Sequence, residues 1–138
     1  MTKATIYYNP KCGTSRNTLA MLERAGIQPN VVLYLETALD VAQLRALVAD
    51  MGVPVRDVMR KKETIYKDND MDGAQWSDHE LYQQIAQHPI LLNRPVVRTP
   101  LGIKLCRPSE VVLELLSPEQ QALVGSFTKE DGEVVGSK

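Results

Sequence analysis

The sequence predicts an α/β fold in which a βαβ unit and a later ββα unit build one mixed four-stranded sheet. A block of helices is inserted between the two units. Three observations carry this. Four short β-prone segments stand at 4–8, 30–34, 95–98 and 103–106. A helical pattern separates the first pair, which makes it a right-handed parallel βαβ unit. Only Thr99-Pro100-Leu101-Gly102 separates the second pair, and that turn chemistry reads as an antiparallel hairpin.

Each element has a local reason. Ala4-Thr5-Ile6-Tyr7-Tyr8 is rich in β-branched and aromatic residues, and Asn9-Pro10 breaks the strand. From Ser15 the positions Leu19, Leu22 and Ala25/Gly26 fall at helical spacing. Asn30-Val31-Val32-Leu33-Tyr34 is the second strand. Val41, Leu44, Leu47, Val48 and Met51 then mark an amphipathic helix that stops at Gly52. Val55, Val58 and Met59 suggest a short helix closed by Arg60-Lys61-Lys62, and the polar stretch 64–76 reads as a surface loop. Ser77-Asp78-His79-Glu80 has capping-box spacing ahead of Leu81, Ile85 and Ala86. After the hairpin, Pro108 suits a first helical turn with Val111, Val112, Leu115 and Leu116 as its buried face. Ser117-Pro118-Glu119-Gln120 starts another helix. The expected organisation is one domain over 1–127, with the helical insertion at about 40–92 and a polar, mobile tail over 128–138. There is no internal repeat.

Composition narrows the function classes. With 138 residues, the chain is large enough for a real hydrophobic core. A formal net charge of -1 and a pI near 6.1 argue against a nucleic-acid or membrane-surface binder. No apolar run approaches the ~20 residues of a membrane-spanning helix, and Met1–Thr5 leads into the first strand without a signal-peptide core. Two cysteines make no disulfide framework, and His79 and His88 lack zinc-site spacing, so no metal site is expected. The two histidines read as surface or capping residues. Together these features predict a reduced, cytoplasmic protein.

The chemistry centres on Cys12, just before a helix N-terminus. The unpaired N–H groups and positive dipole end of that helix stabilise an anion, either a thiolate or a tetrahedral oxyanion. Gly13 is read as letting the backbone turn tightly around the sulfur. A buried structural cysteine is the plain alternative. Arg60, Arg94 and Arg107 all lie at element ends, where side chains can converge on the edge of a sheet. Taken singly, each reads as a helix cap or an ion-pair partner. Together, their planar forks would neutralise an oxyanion and lower a thiol pKa. Arg16 reads as solvated or ion-paired. Cys12 and Ser15 form C-x-x-S, so no resolving cysteine is local and an external thiol must complete any redox cycle. Cys106, at a strand end, reads as a buried small hydrophobe. The phosphatase spacing C-x5-R fails, because Thr18 stands where the arginine belongs. Pro95 opens the third strand, where by analogy with the thioredoxin layout a cis-proline is expected against the active sulfur.

Tyr7-x-Asn9-Pro10-x-Cys12-Gly13-Thr14-Ser15-Arg16-Asn17-Thr18-Leu19 resembles the active-site signature of the glutaredoxin-dependent arsenate reductases. Tyr34-Leu35-Glu36-Thr37, Met59-Arg60-Lys61, His88–Pro95, Thr99–Gly102 and Leu105–Glu110 match it too, so the resemblance spans nearly the whole chain. It implies a thioredoxin-like fold and a Cys12 nucleophile that forms a covalent adduct with arsenate. Arg60, Arg94 and Arg107 would be the oxyanion-binding trio, with Ser15, Gly13, Thr14 and the loop amides around the sulfur. Glutathione, as cosubstrate, would attack the adduct, and glutaredoxin would reduce the mixed disulfide and release arsenite, with no bound cofactor. One position departs from the pattern. Where relatives commonly carry histidine four residues before the cysteine, this chain has Tyr8, a neutral phenol that can only donate a hydrogen bond. The readings to set against this one are a transcriptional regulator like the Spx proteins, which use C-x-x-C, and a thiol reductase with another substrate.

Overall fold

The computed structural model describes residues 3–136, which divide into two units, 3–33 with 94–136 and 34–93. The first unit carries the sheet. Its strands are β1 (Thr5–Tyr7), β2 (Asn30–Val32), β3 (Val96–Thr99) and β4 (Gly102–Leu105), in the order β2-β1-β3-β4. β1 runs parallel to β2, with Tyr7 beside Val32, and antiparallel to β3, with Tyr7 beside Val96. β3 and β4 form the expected hairpin, with Val96 beside Leu105. Between β1 and β2 the chain crosses through α1 (Gly13–Arg24). This is the thioredoxin-like arrangement that the element order predicts.

The core of this unit explains the order of elements. Ile6 and Val97 from the sheet, Met21 and Leu22 from α1, and Val112 and Leu115 from a 3-10 helix over Ser109–Leu115 are buried together. Cys106 lies among them with no exposed surface. The segment after Pro108 is thus helical as expected, but wound as a 3-10 helix. Pro108 precedes its first residue, and both Arg94–Pro95 and Arg107–Pro108 are cis. Further along, a helix over Pro118–Val124 is opened by a capping box of Ser117 and Gln120.

The chain end departs from the expected polar tail. β5 (Ser126–Thr128) and β6 (Val134–Gly136) form an antiparallel hairpin; positions 137–138 of that tail lie outside the described residues. Asp131-Gly132 is the turn signal that polarity hid. Asp131 accepts the Glu133 N–H at 2.9 Å, and Gly132 turns at a φ of 95°. Phe127 is buried in the core, and Lys129 bridges Glu110 and Glu133 at 2.7 and 2.6 Å. Gly136, at a φ of 88°, passes so close to Gly125 that any Cβ would strike its carbonyl oxygen.

The second unit is helical. α2 (Val41–Met51) opens with an Asp40–Gln43 capping box and ends at Gly52 in the left-handed region. After a short α3 (Thr64–Asp68), α4 (Asp78–Gln87) opens with the expected Ser77–Glu80 box. A 3-10 turn over Val55–Val58 stops before Arg60, so Arg60 does not end a helix. It follows an antiparallel bridge between Met59 and Leu92, and its N–H donates to the Leu91 carbonyl at 2.7 Å.

The stretch 64–76 is not a plain surface loop either. It holds α3, whose Tyr66 is 2% exposed, and after it Met71, which is 0% exposed. Arg56 holds the carbonyls of Met71 and Gly73, each at 2.9 Å, and Tyr66 donates to Asp72 at 2.5 Å. Two large apolar groups scattered among acids carry no periodic signal, and the guanidinium that organises the loop comes from outside it. Met71→Ala should therefore lower the unfolding free energy by about 2–4 kcal/mol in urea titrations, as a core truncation does. A loss below about 0.5 kcal/mol would return this stretch to the solvated surface.

Candidate functional site

The sheet register decides which chain ends meet. β1 is antiparallel to β3, and β3 to β4, so the C-terminal end of β1, the N-terminal end of β3 and the C-terminal end of β4 lie at one edge. Those ends lead to Cys12, to Arg94-Pro95 and to Cys106-Arg107. The Cys106 N–H donates to the Pro95 carbonyl at 2.8 Å and ties the last two together.

At the first of these ends the loop builds itself. The Cys12 N–H donates to the Asn9 carbonyl at 3.0 Å, and the Asn9 side chain accepts the Lys11 N–H at 2.9 Å. Cys12 is the N-cap residue of α1, and its carbonyl accepts the Arg16 N–H at 3.0 Å. Its sulfur faces the helix N-terminus, where the Ser15 N–H and hydroxyl act on it. Gly13 is the first helical residue and its φ is not positive. A Cβ there would meet only ordinary contacts, at 3.5 Å from Glu130, so the turn does not require glycine. The Thr14 carbonyl accepts the Thr18 hydroxyl at 2.7 Å.

Two opposing effects set the acidity of Cys12. It is 8% exposed, and burial alone pushes its thiol up. The backbone N–H and hydroxyl of Ser15, the charge of Arg94 and a hydrogen bond from Arg107 outweigh that cost and bring it from an ordinary 9.0 down to about 7. Arg107 Nη1 lies 3.7 Å from Sγ and 3.1 Å from the Arg94 carbonyl. Ser15 has no exposed surface, and its hydroxyl accepts the Asn9 N–H at 3.4 Å.

Burial drives the other cysteine the opposite way. The Cys106 thiol is pushed up to about 12, with the Glu114 charge adding to it, and both cysteines are free. The reading of Cys106 as a small hydrophobe stands. Tyr8 is half-buried, and burial raises its phenol above 10.0 against the opposing charge of Arg16, so it is neutral beside the thiolate. Arg16 is ion-paired, as expected, to Glu130 at 2.8 Å.

The structure thus brings Cys12, Ser15, Arg94, Pro95 and Arg107 together within the first unit. Arg60 belongs to the second unit, where it pairs with Glu63 at 3.1 Å. Glu130 is not legible from the sequence as part of the Cys12 surroundings. Among the described residues no cluster of three His, Cys, Asp or Glu side chains has metal-site geometry.

A thioredoxin-like protein with one acidified cysteine at a helix N-terminus and two arginines beside it is the class that fold and site define. Comparison with known proteins narrows it. The ArsC family profile matches residues 7–115. An arsenate reductase of Escherichia coli is 53% identical over 135 residues, covering 98% of this chain and 94% of the relative. One from Rhizobium meliloti is 50% identical over 131 residues, covering 95% of this chain and 91% of the relative. The solved arsenate reductase from Vibrio cholerae matches with a TM-score of 0.80 at 44% identity, covering 83% of this chain and 98% of that chain. The chain belongs to the ArsC family.

With a thiol pKa of about 7, Cys12 should be roughly half thiolate at neutral pH. Its alkylation rate should climb through pH 7 and level off above, and Ser15→Ala should move that midpoint up towards 9.0. In Tyr8→His a cationic imidazole would stabilise the thiolate further, so its midpoint should fall below that of the parent. Thiolate absorbance in the ultraviolet measures both, and equal midpoints for the parent and the Tyr8→His variant would refute the role given to Tyr8.

Proposed function

We propose that this chain reduces arsenate to arsenite, with Cys12 as nucleophile and glutathione and glutaredoxin as the external reductants. The carrying observation is the Arg107 guanidinium 3.7 Å from the Cys12 sulfur at the N-terminus of α1. That arrangement offers a thiolate and a seat for a tetrahedral anion in one place. The identity to named arsenate reductases over nearly the full chain supports the substrate.

In this reading Arg94 and Arg107 draw the arsenate oxygens towards the loop amides, and Arg60 is assigned to the same oxyanion by resemblance. The Cys12 thiolate attacks arsenic and an oxygen leaves as water after taking up protons. Glutathione sulfur then bonds to Cys12 Sγ as the S–As bond breaks and leaves its electron pair on arsenic. Arsenic(V) becomes arsenic(III). Glutaredoxin removes the glutathionyl group and restores the Cys12 thiol, so two external thiols supply the two electrons. Cys106, buried and held protonated, takes no part. Dependence on glutathione and glutaredoxin calls for a reducing, cytoplasmic setting. No described helix is long and apolar enough to cross a membrane.

Arsenate-dependent NADPH oxidation, coupled through glutathione reductase and glutaredoxin, tests the reading. Cys12→Ser should lose all turnover and Cys106→Ser should keep most of it. Arg107→Ala should lower kcat/KM for arsenate about tenfold or more, because one charge-assisted partner of both thiolate and oxyanion is gone. A flat trace for the parent protein with active coupling enzymes would refute arsenate reduction, and equal losses in the two cysteine variants would refute the role of Cys12 alone.

A further inference from the structure

The chain end reaches back to the Cys12 loop. At the turn of the β5–β6 hairpin, the Glu130 carboxylate takes Arg16 in a two-pronged grip, Nε to Oε2 at 2.9 Å and Nη2 to Oε1 at 2.8 Å. The third guanidinium nitrogen of Arg16, Nη1, donates to the Pro10 carbonyl at 2.8 Å, two residues before Cys12. The Glu130 N–H donates to the Asn17 side chain at 3.1 Å, and Asn17 is buried on α1. The hairpin behind this contact is itself fixed by Phe127 in the core and by Lys129 between Glu110 and Glu133.

An exposed ion pair alone contributes little, but a planar bidentate pair inside a network is the exception. Here every nitrogen of the guanidinium has a partner, and the carboxylate rides on a backbone that is also hydrogen-bonded to α1. The hairpin lies outside residues 7–115, the part that the family profile matches.

We infer that Glu130 is a positioning residue for Cys12, holding Arg16 against the Pro10 carbonyl so that the loop presents the sulfur to the Ser15 and Arg107 donors. It acts through Arg16 and touches no reacting atom. The inference rests on Cys12 as the reacting group of the proposed function. Its test needs no arsenate, so its failure is distinguishable from failure of that function.

The two possible origins of an effect differ in sign. If only charge mattered, removing Glu130 would leave Arg16 unneutralised and favour the thiolate, whereas removing Arg16 would leave a carboxylate and disfavour it. If the pair is a strut, both removals loosen the loop and act in the same direction. Iodoacetamide alkylation of Cys12 across a pH series reads this in Glu130→Ala, Glu130→Gln, Arg16→Ala and the double alanine variant. Far-ultraviolet circular dichroism checks that each is folded, and the isosteric Glu130→Gln keeps the test open should Glu130→Ala unfold. Each single variant should alkylate roughly three- to tenfold more slowly at neutral pH, with its midpoint moved up, and the double variant should lose no more than the worse single one. Opposite shifts for the Glu130 and Arg16 variants, unchanged rates, or losses that multiply in the double variant would each overturn the inference.

Discussion

The antiparallel pairing of β1 with β3 is the constraint on which the site depends. Tyr7 beside Val96 puts the end of one strand against the beginning of another, and Val96 beside Leu105 adds the end of a third. Three loops distant in sequence then share one sheet edge without any need to be long. A shift of register by one residue would turn every side chain of the strand to the other face and carry Arg94 away from the sulfur. The hydrogen bond from Cys106 to the Pro95 carbonyl locks the pairing at its last rung, where it matters most for Arg107.

Within that frame the reactivity of Cys12 is a balance between two large effects. Burial excludes water and raises the thiol, yet the same exclusion strengthens each donor that faces the sulfur. Ser15, Arg94 and Arg107 each come from a different stretch of chain, and their sum leaves the group near 7. Cys106 shows the other side of the balance. It is buried more completely in the same unit, the Glu114 charge adds to the rise and only Lys104 opposes it, so its thiol climbs to about 12. Burial raises both thiols, most of all Cys106, and only Cys12 has donors and arginines to offset it.

Much of this is legible in the sequence, for reasons that differ by element. The four strands, the parallel β1–β2 and antiparallel β3–β4 pairings and the Ser77 cap are readable, because β-branching, turn chemistry and capping spacing are local signals. The cis bond before Pro95 is expected from fold analogy, and the β1–β3 pairing is seen only in the structure. What escapes depends on contacts between distant residues. Met71 is buried because Arg56 gathers the surrounding carbonyls, and nothing in 64–76 announces that guanidinium. Glu130 faces Arg16 from the far end of the chain, inside a segment whose polarity suggests no structure at all. The Asp131-Gly132 turn is the one local clue to that hairpin. Residue type and resemblance single out Arg60, but its expected helix-end setting fails because a strand-like bridge to Leu92 follows the 3-10 turn.

The complete burial of Cys106 has a practical consequence. Although the chain contains two sulfhydryls, only one is addressable by a reagent at neutral pH while the protein is folded. The unmodified protein therefore behaves as a single-label substrate. An equimolar electrophilic dye would count competent molecules in a preparation one for one, and any second equivalent taken up would report the unfolded fraction.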